Sequence, residues 1–141
     1  MKLLVATDGS KHASKAVKYA IKLIGALKGN SEVSLISVHD DVGLAYATRF
    51  VGKESVEDYL REQSEKDLNE ARKLLERAEI KHDMIIGTGR VAPEIVAAAS
   101  KGKFDLIVMG TKGRSMFADF LIGSVAQRVA GSSKVPVLLV S

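Results

Sequence analysis

Three glycines and a serine in the last third of the chain have the residue types and the spacing of a phosphate-binding segment. Gly110 is followed after two residues by Gly113, and after nine more by Gly123 and Ser124. Glycine lets backbone N–H groups approach an anion, and it adopts φ/ψ values that other residues avoid. A helix beginning at Gly123 would add unpaired N–H donors and a favourable dipole. The pattern predicts a nucleotide phosphate site, although the glycines could also only shape a turn and Ser124 only cap a helix.

A second polar segment follows the first apolar run of the chain and reads Ala6-Thr7-Asp8-Gly9-Ser10. Ser10 is a good N-cap for the helical pattern that follows it. Asp8 has no second acid beside it, and an aspartate in this setting can simply close an Asx turn. This loop therefore offers polar groups whose use depends on what the fold brings near them.

The elements that must position these loops alternate between strand and helix periodicity, which predicts a doubly wound α/β fold with a parallel sheet. The predicted strands are Lys2 to Ala6, Glu32 to Val38, His82 to Ile86, Asp105 to Met109 and Val135 to Val140. The predicted helices follow Ser10, span Ser55 to Ala78 and Ala92 to Ser100, and follow Gly123. In such folds ligands bind beyond the carboxyl ends of the strands, where the strand order reverses. Both polar segments follow predicted strands.

Length and composition indicate one domain over residues 1–141, because 141 residues that are 46% hydrophobic suit one core. No apolar run approaches the roughly 18 residues of a membrane span, and no signal-peptide pattern opens the chain, so a cytoplasmic protein is expected. The absence of cysteine excludes disulfides and thiolate metal sites. The net charge of +4 is scattered among acids rather than gathered in a stripe, which argues against nucleic-acid binding. Residues 39–54 show neither period and suggest a lid or binding loop.

The glycine pattern resembles that of the universal stress protein family, whose ATP-binding members carry the same Gly, two residues, Gly, nine residues, Gly-Ser/Thr arrangement. The resemblance extends to the opening segment Val5 to Ser10 and to the closing segment Lys134 to Val140. It implies a five-stranded parallel sheet in the order 3-2-1-4-5, with helices on both faces, of the adenine nucleotide alpha-hydrolase-like type. The first and fourth strands would then be neighbours, and both polar loops would face one crevice.

The resemblance also implies roles for particular residues. Those expected around the adenine are Ala6, Val38 and Met109. Thr7 and Asp8 would approach the ribose and phosphates, and Asp8 would help hold Mg²⁺. Those expected to wrap ribose and triphosphate are Gly110, Gly113, Gly123, Ser124 and Val125, with Arg114 lending charge at the rim. Val91 stands where relatives usually have Gly-x-Pro, so Gly89 and Arg90 are not assigned a role.

The function implied is that of an ATP- or adenine-nucleotide-binding regulatory protein of the stress response, not an enzyme with a defined turnover reaction. A homodimer is expected, because Val135 to Val140 would form an apolar edge strand, and exposed edges are normally paired. Three alternatives remain open: an enzyme that slowly hydrolyses nucleotide, a nucleotide-free regulatory dimer, and a phosphoacceptor receiver. The receiver would need an acceptor aspartate after the third strand, where Gly87-Thr88-Gly89 stands. ATP, ADP, AMP and cyclic AMP all remain candidate ligands.

Overall fold

The computed structural model describes residues 1–40, 49, 51–113 and 121–141. Its strands are β1 (Lys2–Ala6), β2 (Glu32–His39), β3 (His82–Thr88), β4 (Leu106–Gly110) and β5 (Val137–Val140). The helices with described bounds are α1 (Lys11–Ala26), α2 (Lys53–Arg77), α3 (Val91–Lys101) and α4 (Ser124–Ser132). The five strands form one parallel sheet in the order β3-β2-β1-β4-β5. The predicted doubly wound fold and its strand order are confirmed.

The central strand β1 is apolar throughout because both of its faces are covered. Leu4 packs into one hydrophobic cluster with α3 and α4, while its neighbour Val5 packs into a second cluster with α1 and α2. Successive side chains of a strand point to opposite faces, so a strand buried on both sides loses the usual alternation of polar and apolar residues. The two clusters are the two layers of core that hold the sheet between its helices.

Helix α1 begins where the sequence predicts. The Ser10 hydroxyl accepts a hydrogen bond from the N–H of Ala13 at 3.2 Å, which satisfies one of the donors that a helix start leaves unpaired. The helix ends at Ala26, shortly before Gly29, whose φ of +90° is the left-handed conformation that glycine tolerates. Local sequence is thus sufficient to specify both ends of α1.

Two strands differ from their predicted bounds by two residues, whereas β2 and β4 differ by one. β5 begins at Val137 rather than at residue 135, because Pro136 has no N–H to donate to the ladder; its carbonyl still accepts from the N–H of Ile107 at 2.9 Å. β3 continues two residues beyond Ile86, since Gly87 and Thr88 pair in register with β2 instead of turning towards α3. In both cases the partner strand decides where the element ends.

Helix α2 begins two residues earlier than the predicted Ser55, and one side of it packs on the sheet. Leu68, Ala71 and Leu75 are buried against β2, whereas Tyr59, which the helical period places on the same stripe, is 55% exposed. Charged residues cover the rest of its surface. None of the helices in the described ranges has both the length and the apolar character that crossing a membrane requires.

The strand order reverses between β1 and β4. The chain leaves β1 towards β2 on one side of the sheet and reaches β4 on the other, so the loops after β1 and β4 separate and open a crevice. The registers Leu4↔Ile107 and Val5↔Val108 bring the carboxyl ends of the two strands level. Both polar segments singled out in the sequence therefore lie at one edge of the sheet.

Candidate functional site

A cavity of about 260 Å³ lies at the carboxyl ends of β1, β2 and β4. Ten of the eleven residues predicted for the site line it, namely Ala6, Thr7, Asp8, Val38, Met109, Gly110, Gly113, Gly123, Ser124 and Val125. The eleventh, Arg114, lies outside the described residues. The fold thus brings together side chains and backbone that are more than a hundred residues apart in the chain.

One end of the cavity is apolar and belongs to the core. Ile36 and Val38 project from β2 on the same face, since they are two residues apart, and Met109 projects from β4. Val91 and Ile95 of α3 close this end from the other side. A slot between aliphatic side chains is the environment that the flat ring of a ligand occupies in small-molecule sites.

The other end begins with the loop after β1, which its own side chains hold in shape. The N–H of Gly9 donates to Thr7 Oγ1 at 3.2 Å, and the N–H of Ser10 donates to Asp8 Oδ1 at 2.9 Å. Asp8 therefore closes an Asx turn, the structural alternative considered for it. Its second oxygen, Oδ2, faces Gly113 in the loop after β4 and lies 3.3 Å from where a Cβ on that glycine would be.

Asp8 fits a magnesium ion as one ligand among several. The described residues include no group of three or more His, Cys, Asp or Glu that could hold a metal on its own. Mg²⁺ is commonly held by one or two carboxylates together with substrate phosphates and water. With Oδ1 engaged in the turn, Oδ2 is the oxygen that remains directed to the loop lining the cavity.

The packing of β4 against α1 requires a glycine at position 110. A Cβ at this position would lie 2.9 Å from the carbonyl oxygen of His12 and 3.0 Å from its carbonyl carbon. The missing side chain lets the end of β4 contact the first turn of α1. This contact brings the loop after β4 against the start of α1.

Gly123 differs from its sequence-based interpretation in two respects. Its φ of −63° and ψ of 156° are ordinary extended values, so its conformation does not require glycine. Its N–H donates to the carbonyl of Thr111 at 2.6 Å and is therefore engaged, not free to bind phosphate. What its lack of a side chain permits is close approach, because a Cβ would lie 3.3 Å from the Thr111 oxygen.

The amino end of α4 supplies donors directly after Gly123. The first bond of the helix runs from the N–H of Gln127 to the carbonyl of Gly123 at 3.0 Å, so the N–H groups of Ser124, Val125 and Ala126 have no acceptor within the helix. Among the described residues, no side chain caps this end. Unpaired donors and the positive end of the helix dipole make this part of the cavity attractive to an anion.

Sequence reasoning missed seven residues that also line the cavity, namely Ala13, Ile36, Val91, Ile95, Thr111, Lys112 and Ala126. Strand periodicity could have found Ile36, which shares a face with Val38. Helical spacing could have paired Val91 with Ile95, but no local pattern shows that α3 covers this cavity. Lys112 and Asp8 are the two charged residues among the described residues that line the cavity.

The sequence model of the universal stress protein family matches residues 1–141 of the chain. Universal stress protein MJ0531 of Methanocaldococcus jannaschii is 36% identical over 145 aligned residues, which cover 99% of this chain and 81% of the relative. The solved structure of a second protein of that organism, MJ0577, superposes with a TM-score of 0.85 at 30% identity, covering 99% of this chain and 94% of the other.

A third comparison is with a universal stress protein solved in complex with cAMP. It is 27% identical, covers the whole of this chain and 96% of its own, and superposes with a TM-score of 0.68. The family match over residues 1–141 and the identity to the curated relative agree with the fold. The chain belongs to the universal stress protein family.

Proposed function

We propose that this protein is a regulatory universal stress protein that binds an adenine nucleotide, ATP in the first instance, in the cavity between β1 and β4. The observation that carries the proposal is the division of a single cavity into an apolar slot and an end with a lysine and with backbone N–H groups that have no acceptor within α4. A nucleotide has the same division, with a flat base at one end and phosphates at the other. The relative solved with cAMP supports an adenine ligand.

The backbone of Val38 favours adenine at the apolar end. At the carboxyl end of β1, the last hydrogen bond to β2 runs from the N–H of Thr7 to the carbonyl of Ile36 at 2.9 Å. Alternate residues of a strand direct their N–H and C=O groups to the same neighbour, so those of Val38 point past the end of β1 towards the cavity. The Watson–Crick edge of adenine carries an acceptor beside a donor, which matches this pair of groups.

The polar end favours a nucleotide with several phosphates. The N–H groups of Ser124, Val125 and Ala126 surround the amino end of α4, and Lys112 lies in the facing loop. Asp8 would hold Mg²⁺ that also binds the phosphates; the ion would supply charge neutralisation there. These features support ATP over AMP as the ligand.

A regulatory role rather than turnover fits the groups present. Asp8 is the one carboxylate among the described lining residues; its Oδ1 accepts from the N–H of Ser10, and the proposal assigns its Oδ2 to Mg²⁺. A general base for hydrolysis needs to reach the attacking water with a free lone pair. Slow hydrolysis remains the alternative activity. Release of phosphate from ATP by the purified protein at more than about 1 per minute, nearly three orders of magnitude below a typical enzyme turnover of about 10 per second, would favour it.

We further propose a cytoplasmic homodimer that pairs through β5. β5 is an edge of the sheet, and each of its residues Val137–Val140 is half-buried in the single chain. Apolar edges are normally covered in folded proteins. Light scattering at micromolar concentration should give twice the mass of the chain, and a monomer would contradict this assembly.

The direct test of nucleotide binding is to denature freshly purified protein and to identify the released small molecule by mass spectrometry. ATP or ADP is the expected result. Calorimetry with ATP, ADP, AMP and cAMP on protein stripped of ligand then ranks the candidates. A protein that is purified empty and that does not respond to millimolar concentrations of any of the four nucleotides would contradict the proposal.

A further inference from the structure

A glycine on the edge strand β3 lies directly behind the valine at the apolar end of the cavity. Gly87 is the register partner of Val38 in the β2–β3 ladder. A Cβ built on Gly87 would lie 3.3 Å from Cγ2 of Val38 and 3.8 Å from its Cγ1. Gly87 does not itself line the cavity, whereas Val38 does.

The contact leaves no room for a methyl group at position 87 unless Val38 moves. Carbon atoms pack best at about 3.5–4.0 Å, so a Cβ at 3.3 Å must displace its neighbour by a few tenths of an ångström. Val38 has β-branched geometry and few rotamers, so it moves as a unit rather than by rotating one methyl away. Because β2 stands between β3 and the cavity, the displacement is directed into the cavity.

The backbone of Gly87 does not itself call for glycine. Its φ lies outside the positive range recorded for Gly9, Gly29, Gly52 and Gly89, so alanine would carry no conformational strain there. The half-exposed edge position also leaves a methyl group partly in solvent. The effect of a side chain at this position is therefore the contact with Val38.

We propose that Gly87 is a positioning residue for the base: its missing side chain keeps Val38 withdrawn, and this sets the width of the slot that accepts a purine ring. The inference rests on the proposed function, since it assigns the base to the apolar end. It adds a residue outside the cavity that determines what the cavity accepts. Chains with a side chain at this position would need a smaller residue at position 38 to bind the same base.

The test is a double-substitution cycle read by AMP affinity. AMP is the probe because its single phosphate leaves the base as the main contact. Calorimetry compares the natural protein with Gly87→Ala, Val38→Ala and the two combined, and a melting curve is recorded for each. Gly87→Ala should weaken AMP binding by about tenfold, the usual cost of modest overpacking. In the Val38→Ala background the same substitution should change the affinity by less than about twofold, because the displaced methyl groups are gone.

Gly25→Ala is the matched control, since a Cβ there meets nothing within 4 Å and Gly25 lies in α1 away from the cavity. It should bind AMP as the natural protein does. Unchanged AMP affinity in Gly87→Ala, or a loss that persists in full in the Val38→Ala background, would overturn the inference. If Gly87→Ala fails to fold, restoration of folding and binding by Val38→Ala supports it, and failure to restore them overturns it. A natural protein that does not bind AMP or any other adenine nucleotide contradicts the proposed function instead.

Discussion

The two ends of the cavity differ in what lines them: side chains line the apolar end, and backbone lines the polar end. At the apolar end, Ala6, Ile36 and Met109 contribute side chains that are 8%, 2% and 6% exposed and belong to the same core cluster. At the polar end, Gly113 and Gly123 have no side chain, and this lets two loops and a helix end approach one another. Buried side chains therefore line one end of the cavity, and N–H groups that have no acceptor within α4 line the other.

The difference has a measurable consequence. A substitution at the apolar end should lower the free energy of unfolding and should weaken the binding of all adenine nucleotides alike, because the base is common to them. A substitution at the polar end should distinguish ATP from AMP, because the two ligands differ in their phosphates. Four substitutions test whether the two ends of the cavity act separately on AMP and ATP binding, from the largest expected effect to the smallest.

Met109→Ala should have the largest effect. Met109 is buried in the cluster with α3 and α4, and large-to-small substitutions in a core cost about 2–5 kcal/mol of the free energy of unfolding. Denaturant titration should show this loss, and calorimetry should show similar losses of AMP and ATP affinity. Met84→Ala, at a methionine that is 50% exposed on β3, is the control and should change the free energy of unfolding by less than about 0.5 kcal/mol. A loss confined to ATP would break the separation.

Gly123→Val should lower ATP affinity by about a hundredfold and AMP affinity much less. Its branched side chain would stand against the Thr111 carbonyl and would shield the N–H groups of Ser124 and Val125, and two charge-assisted hydrogen bonds at about 1.5 kcal/mol each account for that factor. Calorimetry with both nucleotides makes the comparison. Gly131→Val in the same helix is the control, since a Cβ at position 131 meets nothing within 4 Å. Equal losses of ATP and AMP would show general damage rather than a lost phosphate site.

Gly110→Ala should destabilise the protein by about 1–3 kcal/mol, the usual range for overpacking, because its Cβ would press on the backbone of His12, which cannot rotate away. Thermal melting should show the loss in the protein without ligand. Gly25→Ala is the control and should melt at the same temperature or higher, since alanine favours a helix interior. An unchanged melting temperature for Gly110→Ala would mean that β4 and α1 can move apart without loss of stability. Glycine at position 110 would then matter only for ligand binding.

Substitution of Asp8 should have the smallest effect on stability and separates its two roles. Asp8→Ala removes the acceptor for the N–H of Ser10 and should cost about 1 kcal/mol, whereas Asp8→Asn keeps that acceptor and should cost less. Both should weaken ATP binding in the presence of Mg²⁺ but not in EDTA, because both remove the negative charge. If the natural protein binds ATP equally with Mg²⁺ and with EDTA, Asp8 has no metal role and serves only the turn.

Local patterns predicted most of the fold because the forces that decide it act over a few residues. The apolar run of β1, the Ser10 cap and the end of α1 before Gly29 match the structure because burial on two faces, a side-chain acceptor and a glycine turn are each readable from neighbouring positions. The strand order came from the family resemblance, not from periodicity. The predicted start of β5 and the predicted end of β3 were wrong, because pairing with a neighbouring strand decides where each of them begins or ends.

The residue types that gather at the site are readable along the chain: glycines and a serine after one strand, a polar turn after another, and aliphatic strand ends between them. What each residue does depends on the tertiary structure. Gly110 faces the backbone of His12, the N–H of Gly123 belongs to Thr111, and Gly87 lies behind Val38, each partner being far away in sequence or on another strand. A close contact or an occupied donor depends on the position of a second segment, and no local pattern of residues records where that segment lies.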